Sequence, residues 1–212
     1  MNTRLSVGLV VGFGLLCGPV GALAEEMTSH KDMAAAMAAY EAVMTPGSAH
    51  EGLQRFVGEW DVASKMWWDG PDGPAVQSTG RSTVVSILGG RFIEEAYTAE
   101  VPMPGPDGTI MMAPFEGRGI MGYDNFRKMY RSVWMDTWGT QLLVSNGVAT
   151  PDGARITAIG EMDEPMLNVV GRPIKYVISI ISDDEHLFEM YDLHAGDDYK
   201  VFEMRYTRAA AD

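Results

Sequence analysis

From Gly58 onward the apolar residues recur every second position, and this alternation constrains the fold more than any other feature of the chain. A period of two is the mark of a strand with one covered face, and a helix cannot satisfy it. Trp60, Val62 and Met66 share a face with Trp68. Phe188 and Met190 oppose Leu187, Glu189, Tyr191 and Leu193. Phe202, Met204 and Tyr206 oppose Glu203, Arg205 and Thr207. Ten strands follow from the pattern: 59–68, 77–88, 91–101, 115–123, 129–138, 141–149, 155–163, 173–182, 186–194 and 199–208.

The links between these segments are turn chemistry. Pro71-Asp72-Gly73, Pro106-Asp107-Gly108 and Pro151-Asp152-Gly153 repeat one turn signal, and Asp124-Asn125 and Gly196-Asp197 mark two further corners. Such links are too short for crossover helices, so neighbouring strands pair antiparallel in a meander. That many strands, left open, would present bare edges. Closure removes them, which predicts a mainly β fold, an antiparallel up-and-down barrel. A two-sheet sandwich is the alternative, although sandwiches favour longer connections.

Ahead of the strands lie two different regions. Residues 1–24 carry Arg4, an apolar run of about a dozen residues and the small-residue ending Ala22-Leu23-Ala24, the pattern of a signal peptide cleaved near Ala24. The run is shorter than the roughly 20 residues of a membrane span, and no other stretch approaches that length. The expected location is periplasmic or secreted. Lipidation at Cys17 is a rival reading, although Leu16 stands where a small residue is wanted. Cleavage after Ala24 removes Cys17, the only cysteine, and with it disulfide and thiolate chemistry. It also removes Arg4, which takes the formal charge from −13 to −14. Such a charge disfavours polyanionic partners, both nucleic acid and anionic membrane. Residues 25–44 form a helical segment and linker, with Ala-rich sequence over 29–43 and the breaker Thr45-Pro46-Gly47 after it. A second short helical stretch over 48–57 gathers Leu53, Phe56 and Val57, and the barrel domain is 45–212.

Gly58-Glu59-Trp60 resembles the G-x-W position of lipocalin-like, or calycin, barrels. There the Trp closes one end and an Arg from the last strand packs over it, so Trp60 is the implied barrel-closing residue and Arg205 and Arg208 the candidates for its partner. A wider set stands in order: Phe56-Val57-Gly58-Glu59-Trp60, Leu88-Gly89-Gly90-Arg91-Phe92, Pro114 through Gly119, Gly122-Tyr123-Asp124-Asn125 and Trp134-Met135-Asp136. This set resembles the bacterial family catalogued as domain of unknown function 1579, over about residues 45 to 208. The resemblance implies a lipocalin-like barrel and no established activity.

Several residues carry possible chemistry. Glu116 and Arg118 lie two apart on a Gly-interrupted strand, and Asp136 shares a face with Tyr130, Trp134 and Trp138. Together these six read as the lining and polar anchor of a ligand cavity, or more plainly as structural ion pairs and solvated carboxylates. An enzyme acting on a small molecule through Asp136, Glu116 and Arg118 is the alternative, and a paired-carboxylate hydrolase of Glu94 or Glu116 with Asp136 is a further enzymatic reading. No nucleophile elbow, zincin or P-loop motif is present, and Gly117-x-Gly119-x-x-Gly122 opens no helix. Met27, His30, Met33, Met37, Met44 and His50 are soft enough for Cu(I), but Met at helical spacing is usually an apolar packing face. His186 and His194 raise haem ligation; a separation of about 26 Å along a strand keeps them from sharing one metal. The expectation is therefore no resident cofactor or metal. The leading reading is a non-enzymatic exported barrel that binds a small apolar molecule. A barrel filled by its own side chains and acting through its surface is a third possibility.

Overall fold

The computed structural model describes residues 30–210 apart from positions 106 and 108. The signal sequence, Cys17, Met27 and the start of the helix at Ser29 lie outside the described residues. The chain divides into two compact units between Ala42 and Val43. The first unit contributes most of α1 (His30–Met44), whose side chains are exposed at every position from 32 to 44. Met33, Met37 and Met44, expected as a packing face, are among them, and so is Tyr40.

The second unit begins with α2 (Ser48–Leu53), continues through a 3-10 turn (Gln54–Phe56) and then becomes strand. The strands are β1 (Gly58–Met66), β2 (Val76–Ile87), β3 (Phe92–Pro104), β4 (Ile110–Asp124) and β5 (Met129–Asp136). They are followed by β6 (Leu143–Ala149), β7 (Arg155–Glu164), β8 (Val169–Ser182), β9 (Glu185–Asp192) and β10 (Lys200–Arg208). Each strand pairs antiparallel with its sequence neighbours, and β1 pairs with β10 to close the barrel. The expected meander and its closure are both present. The third and fourth strands run longer than their alternation predicts, because Val101–Pro104 and Ile110–Pro114 continue the pairing beyond the barrel wall as a hairpin.

The corners form for local reasons. At Pro151-Asp152-Gly153 the Asp152 carboxylate accepts from the Ala154 N–H at 3.0 Å and from the Thr150 hydroxyl, and Gly153 takes φ +68°. Proline, Asx acceptor and left-handed glycine each fill the position their chemistry suits.

One barrel end is plugged. Leu53 and Phe56, from α2 and the turn after it, pack with Trp60, Val62, Val84, Ile93, Ile156 and Tyr206 in the core cluster. Burial of each large apolar group contributes about 1.5–3 kcal/mol, so this end holds the densest stabilisation. The other end is bounded by the loops after β1, β3, β5, β7 and β9. Trp68, Met111, Met112, Trp138, Leu142, Leu167 and Val170 are exposed around it. No helix among the described residues is long and apolar enough to cross a membrane.

Candidate functional site

The pairing register decides which side chains point inward. Trp60, Val62 and Ser64 are buried while Glu59, Asp61 and Ala63 are exposed, so the even positions of β1 face the lumen. Following the pairs around the wall turns Ser82, Tyr97, Gly117 and Asp136 inward together, as it does Val84, Glu95, Gly119 and Trp134. Met121, Tyr130, Ile178, Phe188 and Phe202 also face inward, yet remain only partly covered. An eight-stranded barrel is just filled by its side chains, whereas ten strands enclose a wider space. These partly covered side chains pack against the core cluster along the inner wall.

The predicted site residues separate across this wall. Tyr130, Trp134 and Asp136 face the lumen. The Trp134 indole N–H donates to Asp136 at 2.9 Å, and the other carboxylate oxygen accepts from the Trp138 backbone N–H at 2.9 Å. Trp138 lies just past the end of β5 and packs edge-on against Phe115, with centroids 5.0 Å apart. Tyr130 meets Tyr123 edge-on at 5.0 Å. Glu116 and Arg118 are exposed on the outer face, and Glu94 also lies on the outward register. Arg118 pairs across the strands with exposed Met135, whereas Asp136 pairs with Gly117. The barrel wall thus parts Asp136 from Glu116 and Arg118, and the three do not form one constellation. Glu116 instead borders a shallow outer groove of about 780 Å³ that also includes Asp61, Ala63, Arg81 and Arg205.

Local sequence explains the position of Trp134. A Cβ on Gly117 would collide with its indole, and one on Gly119 would lie 2.9 Å from it. The two glycines in Phe115-Glu116-Gly117-Arg118-Gly119 therefore leave the ring room to lie flat along the inner wall.

A carboxyl not singled out by the sequence motifs sits on the same wall. Glu95 accepts from the Ser82 hydroxyl at 2.7 Å and from the Tyr206 hydroxyl at 3.1 Å. Burial pushes its carboxyl up, against the opposing pull of those two hydrogen bonds. Burial, then the charge of Glu95, pushes Tyr97 up to about 12, and the same two causes raise Tyr206. A signal for Glu95 was present in Ile93-Glu94-Glu95-Ala96-Tyr97. Of two adjacent acids on a strand, one must share the face of Ile93 and Tyr97.

Other hydroxyls continue the polar lining. Ser64 and Ser78 share a hydrogen bond of 2.6 Å, and Ser132 and Ser145 one of 2.7 Å. The buried hydroxyls of Tyr97 and Tyr176 lack a well-formed hydrogen bond, and burial pushes Tyr176 up to about 12.

At the plugged end, the Arg208 guanidinium lies over the Trp60 ring, 4.2 Å from its centroid. Arg205 points outward and pairs with Glu185. His186 stacks on Tyr206 at 4.3 Å and meets Trp60 and Phe56 edge-on, so it is walled in by rings. Burial, then the charge of Arg208, pushes it down to about 4. His194 is exposed and donates its backbone N–H to Asp192. His50 is buried and accepts at Nδ1 from the Gly47 N–H at 3.0 Å. Among the described residues no three His, Cys, Asp or Glu are grouped closely enough to hold a metal ion.

Solved structures give the same architecture. The chain is similar to Rv2717c from M. tuberculosis at 12% identity and TM-score 0.53, covering 78% of this chain and 100% of that one. It is also similar to the S-type phycobiliprotein lyase CPES from Guillardia theta at 8% identity and TM-score 0.50, covering 78% and 95%. At these identities the likeness is one of fold alone. No curated protein matches. The family model described as protein of unknown function (DUF1579) matches residues 45–208, from the segment just before α2 to the last residue of β10, and the chain belongs to that family.

Proposed function

We propose that this protein is an exported, non-enzymatic barrel that binds a small, largely apolar molecule in its lumen. One observation carries the reading: large inward side chains, among them Tyr130, Trp134, Phe188 and Phe202, remain partly uncovered inside a closed ten-stranded wall. Apolar walls with a few placed polar groups are the common form of a small-molecule site. Here those groups are Glu95, Asp136 and the tyrosine and serine hydroxyls. The open end supports the same reading, because exposed Trp68, Met112, Trp138 and Leu142 border it and provide an apolar approach.

The test is intrinsic fluorescence. Trp134 lies on the inner wall and Trp138 at the open end, so binding there shifts or quenches emission. A saturable change with at least one member of a panel of fatty acids, retinoids, haem and isoprenoids is the expected result. Unchanged emission across the whole panel would remove the support for this function.

A further inference from the structure

Among the described residues, two inward carboxyls, Glu95 and Asp136, have only neutral hydrogen-bond donors as partners. Glu95 is met by the hydroxyls of Ser82 and Tyr206, and Asp136 by the N–H groups of Trp134 and Trp138, all neutral donors. Two arginines at the barrel ends are already matched: Arg172 pairs with Asp192, and Arg208 with Asp184 at 2.9 Å. Ring faces lie between the two carboxyls. The Trp134 indole spreads across Gly117 and Gly119, whose cross-strand partners are Asp136 and Glu95. Tyr97, 3% exposed and with a hydroxyl that lacks a well-formed hydrogen bond, stands beside Gly117 on the other strand.

Aromatic faces flanked by carboxylates favour an organic cation. The ring quadrupole attracts it, the carboxylate neutralises it, and a second carboxylate arriving with a ligand is repelled. We propose that the lumen selects an organic ammonium ion carried on an apolar body, held by Trp134, Glu95 and Asp136, over a carboxylate of the same length. This rests on the lumen-binding function above and narrows its ligand class.

The groups that face Glu95 fit such a guest. Ser82 is neutral, Tyr97 and Tyr206 are held protonated, and His186 behind Tyr206 is held uncharged. Arg208, beyond Trp60, is committed to Asp184. An arriving ammonium ion therefore offers Glu95 the cationic partner that its neutral donors do not supply.

The experiment titrates the full chain with dodecyltrimethylammonium, dodecanol and dodecanoate, each below its micelle concentration, by fluorescence and calorimetry. The ammonium is expected to bind about 10-fold tighter than dodecanol, with dodecanoate weakest. Glu95→Gln and Asp136→Asn should each weaken the ammonium about 10-fold and leave dodecanol within about twofold. Circular dichroism checks the fold of both variants, and Asp136→Asn, nearer the open end, carries the test alone if Glu95→Gln does not fold. If dodecanol binds and the ammonium is not preferred, or both variants affect all probes alike, the cation inference is overturned while the lumen function stands. If no probe binds, both are overturned.

Discussion

His186 shows how much one buried group can set. It is enclosed by Tyr206, Trp60 and Phe56, and its neutral form is what the packing accepts. In the unfolded chain its pKa returns to the ordinary value of about 6.5. The folded value is lower, about 4, so the unfolded state takes up the proton first as pH falls. The contribution to stability is complete above pH 6.5 and is lost as pH falls from there through about 4. A shift of this size corresponds to about 3 kcal/mol. Urea unfolding midpoints measured from pH 7 to pH 4 should drop for the native chain. His186→Phe, which keeps a ring in the same enclosure, should flatten that part of the curve. An equally steep drop in the variant would assign the acid sensitivity elsewhere.

At the scale of elements, the plugged end depends on one side chain from the last strand. Arg208 covers Trp60, donates to the carbonyls of Val57, Arg55 and Asp183, and pairs with Asp184. It therefore ties β10 to the turn before β1 and to the β8–β9 corner. A lysine cannot reproduce this planar fork. Arg208→Lys is expected to cost about 2 kcal/mol, because several carbonyls lose a donor at once. Arg205→Lys provides the contrast. Its half-exposed pair with Glu185 lies on the outer face, and the change should cost less than about 0.5 kcal/mol. Chemical denaturation of the two variants checks the difference; equal losses would deny Arg208 its closing role. Both arginines are plausible partners of Trp60 in sequence, being three residues apart on one strand. Register separates them: Arg208 stands opposite Trp60 itself, and Arg205 opposite exposed Ala63.

For the whole molecule, the barrel and the region before it pose different questions. The family match begins at residue 45, and residues 1–44 lie outside it. The pattern of Arg4, apolar run and Ala22-Leu23-Ala24 predicts cleavage by a signal peptidase and export. Expressed with its native leader in a bacterial host, the protein should appear in the periplasmic or secreted fraction with Glu25 at its N-terminus. N-terminal sequencing or intact mass decides this. Retention of residues 1–24 on a cytoplasmic product would count against export, and a lipid-modified Cys17 would move the processing site.

What was legible in the sequence was local. Alternation with a period of two, broken by Pro-Asp-Gly and Asp-Asn corners, is a property of consecutive residues, so strand number, strand order and antiparallel pairing could be read from it. Closure followed because a meander of this length would otherwise bear two open edges. The division of β9 and β10 into two faces was also legible, with Phe188, Met204 and Tyr206 alternating against their neighbours, but which face turns inward was set by the pairing. Tertiary structure decided what the local pattern leaves free. On β4 the alternation is blurred by glycines, so only pairing with β5 showed that Gly117 and Gly119 yield the inner wall to Trp134 and that Glu116 and Arg118 point outward. Glu95 meets Tyr206 across 111 positions of sequence, a contact that exists only because β1 joins β10 and the ring closes. Local chemistry sets the period of a strand, but the shared register of ten strands sets which carboxyls face a common interior.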